Sequence, residues 1–136
     1  MSYTFKNWSF NDVYDFYIEF NRIESYNEYS KKWLSYYNVN ISFTSKTNWT
    51  INDIVDLQDY NRVKRNINAI LNAIESDSLR MTTSEQVNQV FNVDKANEME
   101  IRLKEYLSYL GQLLFSYNIS GLATSGNSLK LVVGSV

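Results

Sequence analysis

One stretch of this chain occurs twice, and the repetition constrains the fold more than any other feature. Residues 7–23 read NWSFNDVYDFYIEFNRI and residues 48–63 read NWTINDIVDLQDYNRV, a register of about 40 residues. The copies share Asn-Trp, a Ser or Thr, Asn-Asp, a β-branched residue, a second Asp, and an aromatic ahead of Asn-Arg-(Ile/Val). Ser9 and Thr50 stand where helix N-caps belong, with Asp12 and Asp53 in the third position of a capping box. Two helices are therefore expected to begin there. Trp8 and Trp49 precede those caps and Val13 and Ile54 follow them at the spacing of a hydrophobic staple, which makes the tryptophans structural.

The acidic residues of the unit have a local explanation. Asp12, Asp15, Asp53 and Asp56 fall in the expected first turns, where the positive end of the helix dipole favours them without any metal. Glu19 with Arg22 and Asp59 with Arg62 have the spacing of ion pairs on a helix surface. The first copy is one residue longer between Ser9 and Asn21 than the second between Thr50 and Asn61. One residue turns a helix by about 100°, so a kink or π-bulge is expected near residues 16–20, or else a divergence of the first unit.

Composition narrows the possibilities further. The 136 residues suit one small domain. With no cysteine there is no disulfide framework or thiolate metal site, and with no histidine the commonest general base and metal ligand is missing. A net charge of −2 lacks the basic footprint of a nucleic-acid binder. No apolar run is long enough to span a membrane and the first residues lack a signal pattern, so no membrane association is expected. Eleven tyrosines point to amphipathic surfaces partly buried against neighbours.

Proline is absent and all four glycines lie at or after Gly111, so the chain divides into a region permissive for helix and a tail of turns. The expected units are a helical repeat domain over residues 1–117 and a turn and strand tail over residues 118–136 engaged in assembly. Phe10, Val13, Tyr14, Tyr17, Phe20 and Ile23, then Trp33, Leu34 and Tyr37, recur at helical spacing and predict a first helix over residues 10–36. Residues 39–46 alternate apolar and polar and read as an extended connector or short strand. A second helix carries Ile51, Ile54, Val55, Tyr60, Val63, Ile67, Ile70, Leu71 and Ile74. Thr82 and Glu85 suggest a capping box for a short helix over residues 85–90.

Asp94 then opens a third long helix, in which Ala96, Leu103 and Leu110 are seven apart, with Leu107 and Leu114 each four residues after Leu103 and Leu110. That heptad fits a bundle seam within the chain or a coiled coil between chains. In the tail, Leu129, Leu131 and Val133 form a short apolar strand pattern, which reads either as part of a partly disordered terminus or as a strand joining a sheet in an assembly. The expected fold class is mainly α: a bundle of three long helices with an internal repeat, plus a short C-terminal β segment.

Catalytic constellations are not found. The carboxylate pairs Asp12/Asp15, Asp53/Asp56 and Glu98/Glu100 all sit at expected helix starts, and the many Ser and Thr residues have no histidine to activate them. Arg62, Lys64 and Arg65 form a basic cluster that reads as a solvated helix face or a phosphate contact. No glycine-rich phosphate loop occurs. The reading is a protein that is not an enzyme, with no catalytic, cofactor-binding or metal-binding residues.

The unit W-(S/T)-x-N-D-x-x-D, followed by an aromatic and Asn-Arg-(Ile/Val), resembles short helical modules of virion proteins in tailed bacteriophages of Gram-positive hosts. Asn21, Arg22 and Ile23 match that motif, as do Asn61, Arg62 and Val63, and residues 93–100 with Asn97 look like a degenerate third copy in which Glu98 replaces the arginine. The resemblance covers about half the chain. It implies a small tail, baseplate or fibre-attachment protein of the virion, assembled in the host cytoplasm, whose partners are copies of itself in a trimer or higher symmetric oligomer and other virion proteins. Tyr14, Tyr17, Trp33, Tyr36 and Tyr37 are candidate interface anchors, since aromatics dominate binding hot spots. The alternatives are a head or neck connector component, or a phage-encoded protein that binds and inhibits a host factor.

Overall fold

Helices in this chain begin at the second aspartate of each repeat rather than at the Ser or Thr. The computed structural model describes residues 3–83 and 91–123, with side chains as far as residue 112. In it the carboxylate of Asp56 accepts from the Asp59 backbone N–H at 2.8 Å and the Asp59 side chain accepts from the Asp56 N–H at 3.2 Å, a capping box that opens α2 (Leu57–Ala73). Asp15 occupies the same place before α1 (Phe16–Ser35), without a side-chain cap bond. Asn92 caps α3 (Val93–Ala123), its Oδ1 accepting from the Lys95 N–H at 3.0 Å.

The expected caps at Ser9 and Thr50 are instead turns. Asp12 N–H donates to the Ser9 carbonyl at 3.0 Å while Ser9 N–H donates to the Asp12 carboxylate at 2.7 Å, and Thr50 and Asp53 repeat the pair at 3.0 and 2.8 Å. Each turn keeps one bond of a capping box, the carboxylate accepting from the Ser9 or Thr50 N–H, but the aspartate N–H goes to the backbone carbonyl of a single turn that does not propagate. The staples fail with the caps, because Val13 and Ile54 are 79% and 85% exposed while Trp49 is buried. Nor does α1 bulge near residues 16–20, since it is one continuous α-helix there. The extra residue of the first copy lies between Asp15 and Asn21, six positions against five from Asp56 to Asn61.

An extended strap connects α1 to α2. Residues 39–49 have no strand pairing, which settles the expected connector as a strap. Both α1 and α2 end in the same left-handed cap, in which Val39 N–H donates to the Leu34 carbonyl and Ser76 N–H to the Leu71 carbonyl, at 3.1 and 3.0 Å. Asn38 and Glu75 take the positive φ these caps need, 61° and 53°. Along α1 and α3 the pairs Arg22–Glu100 and Asn27–Tyr106 follow in the same order, and α2 meets α3 from Tyr60 beside Phe91 to Ser76 beside Glu105, so all three helices run in the same direction, and each touches the other two.

The core lies where the three meet. Phe20, Ile23 and Leu34 of α1, Val63, Ile67, Ile70 and Leu71 of α2, and Met99, Leu103 and Tyr106 of α3 are fully buried, each contributing about 1.5–3 kcal/mol by leaving water. The heptad positions Ala96, Leu103, Leu107 and Leu110 are buried here, so that seam is spent within the chain. Among the described residues the chain is a mainly α bundle of three long helices. Helix α3 continues to Ala123, past the boundary expected near residue 117. The short helix expected at residues 85–90 and the strand containing Leu129, Leu131 and Val133 lie outside the described residues.

Candidate functional site

The repeat motif builds clamps between neighbouring units. Asn21, in the second turn of α1, accepts from the Trp49 N–H at 2.7 Å and donates to the Trp49 carbonyl at 2.8 Å. Asn97, at the matching level of α3, does the same to Trp8, at 2.7 and 3.0 Å. One amide side chain thus replaces the strand partner that an extended strap lacks. Three residues on from each asparagine, Glu24 accepts from the Lys46 N–H and Glu100 from the Lys6 N–H, both at 2.9 Å. The arginine next to the motif asparagine completes the clamp from the neighbouring helix: Arg62 binds Glu24 and the Thr44 carbonyl, and Arg22 binds Glu100 and the Thr4 carbonyl.

These pairs close the molecule into a ring. Helix α1 holds the strap before α2, and α3 holds the strap before α1. In turn α2 holds the strap before α3, through Lys64 Nζ donating to the Thr82 carbonyl at 2.7 Å and through Asn68 bonding both backbone groups of Met81 at 2.8 Å. The arrangement is an approximate three-fold within one chain. Its third seam has reversed polarity, since Lys64 stands where the others have Glu24 and Glu100, and Glu98 where they have arginine.

Burial makes these charges consequential. Glu24 is fully buried and also accepts from the Trp49 indole N–H. Burial works against the Arg22 charge, but the Glu100 and Glu19 carboxylates outweigh it and hold its pKa above the ordinary value. Burial pushes the Lys64 ammonium below its ordinary pKa; the Lys95 charge adds to this and Glu98 opposes it. The expected pairs Glu19–Arg22 and Asp59–Arg62 form, at 3.1 and 3.9 Å. Arg62, Lys64 and Arg65 do not share a basic face, because Arg62 is paired to Glu24, Lys64 is buried and only Arg65 is exposed.

The aromatic interface candidates divide. Tyr37 is core, and Tyr14, Tyr17 and Trp33 are half-buried against it. Tyr14 lies in a ring cluster with Trp8, Phe16 and Phe91 at centroid distances of 4.6–5.1 Å. Tyr36 alone is open, at 82% exposed. The larger exposed apolar surface is one the helical periodicity assigned to the core: Phe10 and Val13 on the first turn, and Ile51 and Ile54 on the second, are all 75–89% exposed. What marks them is position. Each pair flanks Asn-Asp in a turn just after the clamped tryptophan, an apolar-Asn-x-apolar pattern that recurs in sequence at Val87, Asn88 and Val90.

Beside the first turn a cavity of about 220 Å³ opens between Trp8, Tyr14, Phe16 and Phe91. Trp8 Nε1 and Tyr14 Oη have no hydrogen-bond partner among the described residues, whereas the Trp49 indole is used by Glu24. The carboxylates of the expected pairs are mostly committed to backbone N–H groups, as at Asp12, Asp53 and Glu100. Among the described residues no group of three acidic, His or Cys side chains could hold a metal, and no helix is long and apolar enough to cross a membrane.

No family model, curated protein or solved structure matches the chain.

Proposed function

We propose that this protein is a structural component of a bacteriophage virion, an adaptor in the tail or baseplate that links fibre or receptor-binding components to the tail. The observation that carries the reading is the twice-used unit W-(S/T)-x-N-D with Asn-Arg-(Ile/Val). Its resemblance is to virion modules, and its recurring polar side chains are spent on gripping neighbouring straps. A protein built this way acts by presenting a rigid surface. The exposed apolar turn residues give that surface something to hold, and copies placed around a tail would adopt its three-fold or six-fold axis.

Mass spectrometry of purified particles tests the reading. The expected result is this chain among the virion proteins, at a copy number that is a multiple of three. Finding it only in infected cells, bound to a host protein and absent from particles, overturns the adaptor reading in favour of an inhibitor of a host factor.

A further inference from the structure

The two repeats end their straps in turns that point the same kind of side chain into water. Phe10 and Val13 flank one, Ile51 and Ile54 the other, and none is less than 75% exposed. Each turn comes directly after a tryptophan clamped near a helix N-terminus, by Asn97 of α3 and by Asn21 of α1. Because the helices are parallel, both turns lie at one end of the bundle. Solvent exposure of four large apolar side chains costs the free protein the benefit of burying them, and the same choice made in both copies marks a surface that is covered in use.

Charge decides what covers it. The apolar tips are interleaved with the exposed carboxylates of Asp12, Asp15, Asp53 and Asp56, while Lys46 beside the second turn is paired with Asp53 at 3.6 Å and Lys6, over the Trp8 ring beside the first, is paired with Glu19 at 2.7 Å. Asp53 and Asp56 are held ionised, since the backbone N–H groups of Thr50 and Asp59 lower their pKa values. A second copy of the same end would bring aspartate against aspartate. We infer that the turn-bearing end of the bundle docks a partner protein through an apolar surface of that partner ringed by Lys and Arg. This rests on the adaptor reading and names the chemistry of the component it would hold.

The test titrates the full chain, labelled with ¹⁵N, against two amphipathic helical peptides, one of Leu and Lys and one of Leu and Glu. The Leu/Lys peptide is expected to shift the amides of residues 10–13 and 51–54 and to bind more weakly as salt rises, while the Leu/Glu peptide leaves them unmoved. Phe10→Ser combined with Ile51→Ser should weaken binding about tenfold or more while leaving Tm unchanged, because both side chains already face water. Asp15→Asn should flatten the salt dependence.

Binding that maps elsewhere or ignores the tip variants overturns the inference, as does equal binding of the Leu/Glu peptide. Sedimentation showing an oligomer that the tip variants dissolve would make a second copy the occupant and overturn it too. The virion reading fails separately: a chain missing from particles that still shows tip-dependent binding loses its location and keeps its surface.

Discussion

The seam in which α1 grips the strap of α2 and the seam in which α2 grips the strap of α3 use the same positions with opposite chemistry. At the first, the Glu24 carboxylate accepts from the Lys46 N–H and pairs with Arg62. At the second, the Lys64 ammonium donates to the Thr82 carbonyl, and Glu98 stands where an arginine would be. A strap offers donors and acceptors alternately, so either sign of side chain can hold it if the strap registers to suit. What the fold fixes is a long polar side chain three residues after the motif asparagine, facing backbone. Its charge is free to vary as long as its neighbour varies with it.

Reversing one member should break that rule most visibly. Lys64→Glu places a buried carboxylate against the Thr82 carbonyl and Glu98, and a loss of about 4 kcal/mol by chemical denaturation is expected. Adding Glu98→Arg rebuilds the sign of the other seams and should recover at least about 1 kcal/mol; strictly additive effects would show that the two positions are unrelated. At the first seam, Glu24→Gln keeps shape but takes the buried carboxylate away from Arg62, leaving it only the Asp59 carboxylate at 3.9 Å, and should cost about 3 kcal/mol.

A smaller effect of opposite sign is expected where the two helix ends are compared. Asn38 and Glu75 both hold positive φ in equivalent caps, but only asparagine adopts it readily. Glu75→Gly should stabilise by about 1 kcal/mol, read as a rise in the denaturation midpoint, and Asn38→Gly by less.

The smallest effect is a pH dependence. Burial raises the pKa of Tyr14, Tyr60 and Tyr106 above 10.0. The folded state then keeps protons that the unfolded chain releases, so their contribution is complete below pH 10 and is lost as pH rises through it. Lys64, with its pKa lowered, runs the other way and gains stability as pH rises toward 10.5, but it opposes these three tyrosines and Tyr3, which burial pushes up to about 12. Tyr14→Phe removes a hydroxyl with no partner, so it should be nearly neutral at pH 7 and should lose stability less steeply above pH 10. An unchanged alkaline slope would contradict the burial of Tyr14.

Much of this was legible in the residues. The repeat and the absence of proline gave three helices, and α2 ends near where its apolar stripe fades. The heptad of α3 was visible as a seam. The start of α3 at Asp94 was visible to within one residue, but those of α1 and α2 were not, because a turn closed by Asp12 on Ser9 N–H has the same residues and spacing as a capping box. The two differ only in whether the backbone past Asp12 stays helical, and that is decided by packing against distant helices. The ambiguity moved Phe10, Val13, Ile51 and Ile54 onto a helix stripe and hid them as surface. The clamps were half visible. Asn21, Asn61 and Asn97 stood out as a motif, but the target of Asn21 and of Asn97 is the backbone of a strap distant in sequence, and backbone carries no residue signature. The recurrence of Glu24, Lys64 and Glu100 three places after those asparagines was the available signal, masked by the change of sign.

Hydrogen exchange of two backbone amides tests the cyclic clamping most directly. In the unaltered protein the Trp8 and Trp49 N–H groups should both exchange slowly despite lying in straps with no strand pairing. Asn97→Ala should speed exchange at Trp8 and leave Trp49 protected, and Asn21→Ala should do the reverse. If either substitution leaves its own tryptophan protected, or if both amides exchange freely to begin with, the asparagines do not hold the straps and the ring of three units is not what organises this chain.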